Sequence, residues 1–125
     1  MAIDFKPWFS VAQSSDPNMT LVRTLLEYPG TNDNVVVRIR KTQHGLVVDD
    51  GGDVEWFVAA GGGSLQTTTV KKVLKDCRAA FGVEMLEGGK LVLRPIDEAS
   101  VNRAVIQVAQ TAISVFSAAM AESEK

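Results

Sequence analysis

An α+β domain is the fold class the sequence predicts, and three features predict it. Residues 20 to 48 hold three β-like runs divided by turn clusters. The stretch "VEMLEGGKLVLRP" reads as a hairpin with Gly88-Gly89 at its turn. Residues 97 to 121 form a long amphipathic helix. In chain order the elements read αβββααββα. That is an antiparallel three-stranded meander plus a C-terminal β-hairpin, packed against helices in a single domain over residues 1–125.

The first predicted element is a short helix in an N-terminal arm over residues 1–17. In "DFKPWFSVAQ", Phe5, Trp8, Phe9 and Ala12 fall at helical spacing, and Pro7 is tolerated only in a first turn. "SSDPN" breaks the chain. The meander follows as "TLVRTLLEY", "VVVRIRK" and "LVV", joined by "PGTNDN" and "TQHG". Val35, Val37 and Ile39 share one face of the middle strand, while Val36, Arg38 and Arg40 share the other.

After "DDGG", "DVEWFVAA" fits a two-turn helix with Asp53 as its N-cap and Gly61 to Gly63 as its stop. A second helix runs from "TTT" to Phe81. Its stripe of Val70, Val73, Leu74, Cys77 and Phe81 is continuous, Lys71, Lys72 and Lys75 take the solvent side, and Gly82 ends it. Asp97 is placed to cap the terminal helix. There, Val101, Val105, Val108, Ala112, Val115 and Ala119 make one apolar seam, and Ile106, Ala109, Ile113, Phe116 and Met120 a second. So broad a face either lies across a sheet or shares a seam with a second copy, which would make a homodimer.

Composition narrows the function classes. With 13 Lys and Arg against 15 Asp and Glu, the formal net charge is −2. That argues against a dedicated duplex binder, which needs a basic surplus, and against a DNA mimic, which needs a large acidic one. One cysteine and one histidine cannot build a standard structural zinc site. No signal-peptide pattern opens the sequence, and Asn102, Arg103, Gln107 and Gln110 interrupt the terminal run, so no membrane span is expected. A cytoplasmic location is the expectation.

The acids Asp49 and Asp50 raise the main question of chemistry. Together with Asp53 and Glu55 they superficially resemble a cation loop. Consecutive strand residues point to opposite faces, however, and the spacing is not that of a calcium hand. The favoured reading is structural: Asp50 or Asp53 accepts backbone N–H groups where a strand turns into a helix, and the glycines permit positive φ. His44 reads as a turn residue without a nucleophile beside it. Cys77 reads as a small core residue. "GGGS" at 61 to 64 lacks the Lys-Ser/Thr of a phosphate loop. Arg38, Arg40 and Lys41 form a basic strand edge. Of the adjacent Trp56 and Phe57, one is expected in the core, and the other is either exposed, where it would mark an interface, or packed over the N-terminal aromatic cluster, with core packing the favoured reading.

The order of these signals resembles the domain-of-unknown-function family eighteen-twenty-eight, from bacterial, phage and prophage proteins. The likeness rests on "VVDDGGDVEWFVAAG", where Asp49, Asp50 and Gly51 match that family's Asp-Asp-Gly, and on "VKKVLKDCRAAFGVEMLEGGKLVLRP". It ends in the long helix holding "VNRAVIQVAQTAISV" and covers residues 18 to 118. Val47-Val48 and the extra Gly52 depart from its pattern. The resemblance implies a phage or mobile-element context and brings no catalytic set or cofactor.

From these readings we expect a small non-enzymatic module that binds a protein and inhibits a host defence component, as anti-restriction and anti-CRISPR proteins do. The expected contacts are Arg38, Arg40, Asp49, Asp50 and Trp56, with no metal or cofactor. One alternative is a nucleic-acid-binding accessory protein using Arg38, Arg40 and the three α-helical lysines. The other is a metal-dependent nuclease-like enzyme centred on Asp49, Asp50, Asp53 and Glu55.

Overall fold

The computed structural model describes residues 9–13, 16–95 and 97–123. Strands β1 (Phe9–Gln13), β2 (Met19–Glu27), β3 (Asn34–Thr42) and β4 (Gly45–Asp49) are followed by helices α1 (Asp53–Ala60) and α2 (Thr68–Phe81). Strands β5 (Glu84–Met85) and β6 (Leu91–Leu93), a 3-10 turn at Glu98–Ser100 and helix α3 (Val101–Ser123) complete the chain. All strands join one antiparallel sheet in the order β1-β2-β3-β4-β6-β5. The class is α+β, as expected, with the meander and the hairpin in a single sheet.

The N-terminal element corrects the expectation. Residues 9–13 form a strand, paired with β2 from Phe9↔Thr24 to Gln13↔Thr20; residues 4–8 of the expected helix lie outside the described residues. The free edge of β2 offers a row of backbone donors and acceptors, and Phe9 and Val11 are strand-favouring residues that suit it. Helical spacing over so short a window is weak competition. The observed order is therefore ββββααββα.

Alternation sets the two faces of the sheet. Val22, Val37, Ile39 and Val48 are fully buried and lie in register across β2, β3 and β4. They face α3, which contacts β2, β3, β4 and β6. Leu21, Val36, Arg38, Arg40, Val47 and Asp49 occupy the opposite face by the same registers. Between Arg23 and Glu27 the register of β2 slips. There the buried Thr24 hydroxyl donates to the Val35 carbonyl at 2.9 Å, replacing a ladder bond.

Along α3 the first seam, from Val101 to Ala119, is wholly buried. Each such valine contributes roughly 1.5–3 kcal/mol of transfer free energy. In the second seam Ala109 and Phe116 are buried, and Ile113 and Met120 pack against the core from partly exposed positions. Glu98–Glu122 is long and apolar enough by composition to cross a membrane, but here its apolar seam covers the sheet. Helices α1 and α2 complete the same layer by packing on α3.

Helix ends follow local chemistry. The Thr67 side chain accepts the Val70 N–H at 3.1 Å to start α2, and left-handed Gly82 closes it. Asp97 caps the 3-10 turn rather than α3 itself, accepting Ser100 N–H at 3.0 Å. The triple glycine stops α1, with Gly63 N–H donating to Val58 at 2.9 Å. A Cβ on Gly63 would lie 2.5 Å from Met120 Cε, so a side chain there would have to displace the end of Met120 where the loop seats against α3.

Candidate functional site

The bend after β4 gathers most of the residues singled out in the sequence. Asp50 is completely buried. Its Oδ1 accepts the N–H of Gly52 at 2.9 Å and of Leu91 at 2.9 Å, and its Oδ2 accepts Val54 N–H at 3.2 Å. One carboxylate thus closes the Gly51-Gly52 turn, caps α1 and ties the bend to β6. Asp53 is the first residue of α1 and not its cap, a correction to the expectation; Gly52 holds the cap position in the left-handed conformation. Asp50 reaches the helix start because the two glycines between turn the backbone back on itself.

Asp49 points the other way, as strand alternation requires. Its Oδ1 accepts Gly51 N–H at 2.7 Å and its Oδ2 accepts Arg40 Nε at 2.6 Å. Arg38, one pleat along on the same face, donates from Nη1 to the Asp50 carbonyl at 2.8 Å and to Asp53 Oδ2 at 3.2 Å. The guanidinium lies directly over Gly51, whose added Cβ would come within 2.2 Å of Arg38 Nη1. Arg38, Arg40, Asp49, Asp50 and Asp53 are therefore one bonded network.

Sequence reasoning missed one member of this region. Tyr28, just past β2, is fully buried, and its hydroxyl has no hydrogen-bond partner among the described residues. Its ring lies 4.5 Å from Phe57 and 5.3 Å, edge-on, from Phe116. Burial pushes its phenol well above the ordinary range, and the nearby negative charges of Asp50 and Asp53 add to the rise, against a smaller opposing effect of Arg38. The Asp50 carboxyl is likewise pushed up by burial, with a lesser push from Asp53; the three backbone N–H bonds oppose the shift. Nothing in "LLEYPG" marks Tyr28 as buried, because the register slip in β2 decides it.

The chemistry available here is limited by how fully the carboxylates are engaged. Asp50 and Asp49 spend their oxygens on backbone N–H groups and Arg40, and Asp53 faces Arg38. Glu55 lies elsewhere, folded over Gly89, where an added Cβ would meet it at 2.6 Å. Among the described residues, no group of three or more histidine, cysteine or acidic side chains is placed to hold a metal ion. His44 lies exposed in the β3–β4 turn, and Cys77 is half-buried on α2.

Trp56 stands outside the network, one turn along α1 from Asp53. It is 67% exposed, while Phe57 beside it turns inward against Tyr28. The two rings meet edge-on at 5.1 Å. Leu25 and Leu26, three and two residues before Tyr28, are exposed as well. The aromatic pair thus divides, with Phe57 inward as one of the two was expected to be, and Trp56 exposed rather than packed.

Comparison with protein-family models, with curated proteins and with solved structures returns no match.

Proposed function

We propose that this chain is a non-enzymatic protein-binding module whose contact surface centres on Trp56. The observation that carries the reading is the pairing of an exposed indole with an anchored neighbour. Phe57 fixes α1 against Tyr28, so Trp56 is presented from a rigid element at little entropic cost on binding. Exposed Leu25 and Leu26 supply further apolar surface on the segment that leads to Tyr28.

Arg38, Arg40, Asp49 and Asp50 serve this surface indirectly. Arg38 is paired with Asp53, Arg40 with Asp49, and Asp50 is held by backbone N–H groups, which leaves them holding the bend and the start of α1. The phage or mobile-element context implied by the Asp-Asp-Gly resemblance points to a host defence component as the class of target. A bacterial cytoplasmic location belongs to the same proposal.

A nucleic-acid accessory role has less support, because Arg38 and Arg40, the basic strand edge it would use, are already ion-paired with Asp53 and Asp49. Homodimerisation through α3 has less to work with than the sequence suggested: Ile106 is the large apolar side chain of α3 that is not packed against the core.

The test is capture from host lysate with the tagged chain, followed by binding of the recovered partner in purified form to wild type and Trp56→Ala. We expect the variant to melt like wild type and to bind at least roughly tenfold more weakly. Equal affinity, or no partner recovered, removes the proposal. Light scattering at micromolar concentration reports a dimer if α3 is shared.

A further inference from the structure

A cleft of about 510 Å³ opens between the end of α2, the β5–β6 ladder and the first turns of α3. Phe81, Leu93, Pro95 and Ala104 give it apolar walls, and Arg94 and Arg103 stand at its lining. Both arginines are exposed, and neither has a hydrogen bond or ion pair among the described residues. They differ in this from Arg38 and Arg40, which are spent on the bend. Glu84 also lines the cleft, but its carboxylate is held by Arg78 at 3.5 Å.

We infer that this cleft binds a small phosphomonoester with an apolar body. Two guanidinium groups without partners match a phosphate dianion in charge, whereas a lone carboxylate would leave one of them unmatched. Arginine's planar fork suits phosphate oxygens in paired hydrogen bonds. The volume lies in the range of small-molecule pockets, about 300–1,000 Å³, and walls that are mostly apolar with a few polar groups are typical of them. An inorganic ion would leave those walls wet. The chain's net charge of −2 makes this local positive surplus more selective, because it is not part of a general basic surface.

The inference is independent of the Trp56 surface, since Trp56 does not line the cleft. Phenyl phosphate is the probe, with inorganic phosphate, benzoate and benzyl alcohol as comparison arms, read by calorimetry and by amide chemical shifts on the full chain. We expect phenyl phosphate to bind most tightly and to shift amides near Leu93 and Ala104. Arg94→Gln and Arg103→Gln, both at exposed positions, should keep the wild-type melting temperature and each weaken it by roughly tenfold. Benzoate binding as tightly as phenyl phosphate would overturn the dianion assignment, and inorganic phosphate doing so would overturn the apolar body. No binding of phenyl phosphate at millimolar concentration, or undiminished binding by the double variant, would overturn the site itself. So would an acidic peptide that binds the cleft where phenyl phosphate does not.

Discussion

Asp50 accepts the backbone N–H of Leu91 at 2.9 Å, across 41 positions of sequence. The bond is buried, and it joins the bend that launches α1 to the strand that brings the hairpin into the sheet. Replacing Asp50 by alanine leaves the N–H groups of Leu91, Val54 and Gly52 without that acceptor. Each buried orphan costs on the order of 1–2 kcal/mol, so we expect Asp50→Ala to lose about 3–5 kcal/mol in denaturant unfolding. Asp53→Ala, which removes one part-exposed ion pair, should lose less than about 1 kcal/mol. Equal losses for the two variants would contradict the assignment of Asp50 as the cap.

The same carboxyl makes a pH prediction. Burial raises its folded pKa above the value in the unfolded chain, which is about 3.9. Protonation therefore favours the fold. The Asp50 contribution is fully present below the unfolded value and is lost as pH rises through the folded one. Asp50→Asn holds the site neutral and keeps an acceptor for Leu91. Measured from about pH 3 to about pH 8, the stability of wild type relative to Asp50→Asn should fall once pH exceeds about 4, then level off. A gap that is flat, or that moves in favour of wild type, would refute the raised value.

How much of this was legible beforehand depends on where each signal resides. The stripe of α2 and the seams of α3 are periodic over many residues; the first α3 seam is buried throughout, whereas the α2 stripe is buried at Val70 and half-buried at Val73, Leu74, Cys77 and Phe81. The Gly88-Gly89 turn and the "TQHG" connection carry their own chemistry, so both hairpins could be read locally. β1 could not be, because its strand conformation comes from the edge of β2 rather than from "FSVAQ" itself. The bend was half legible. Acids and glycines at a strand end predict a turn, but which acid caps α1 depends on the path through Gly51 and Gly52. Tyr28 and the Arg94–Arg103 cleft depend on tertiary placement alone, and no local pattern marks them.

Gly51 offers a test of the stacked geometry over the bend. Gly51 and Gly52 have φ of 69° and 82°, so alanine at either is strained by about 1–2 kcal/mol. Only at Gly51 does the new methyl also strike the Arg38 guanidinium, whereas nothing lies within 4 Å at Gly52. We expect Gly51→Ala to cost more than Gly52→Ala by about 1 kcal/mol, through loss of the Arg38 bonds to Asp50 and Asp53. In an Arg38→Ala background the two glycine substitutions should cost the same. A persistent difference there would assign the excess to the backbone and not to Arg38.

Tyr28 is the single tyrosine, which makes its hydroxyl directly observable. Its phenol is buried beside two aspartates, so ionisation in the folded state would place a third negative charge in the same low-dielectric region. Raising the pH should therefore produce no tyrosinate absorbance until the chain unfolds, with the absorbance and circular-dichroism transitions coincident. Because the hydroxyl has no partner among the described residues, Tyr28→Phe keeps the ring contacts with Phe57 and Phe116 while removing a buried, unsatisfied polar group. We expect that variant to equal wild type in stability or exceed it by up to about 1 kcal/mol. Tyr28→Ala should instead lose about 3–5 kcal/mol, as large aromatic truncations in a core do. A clear loss on Tyr28→Phe, or a tyrosinate signal preceding unfolding, would mean that the hydroxyl is solvated or bonded in solution and that the region behind the bend is more open than its packing indicates.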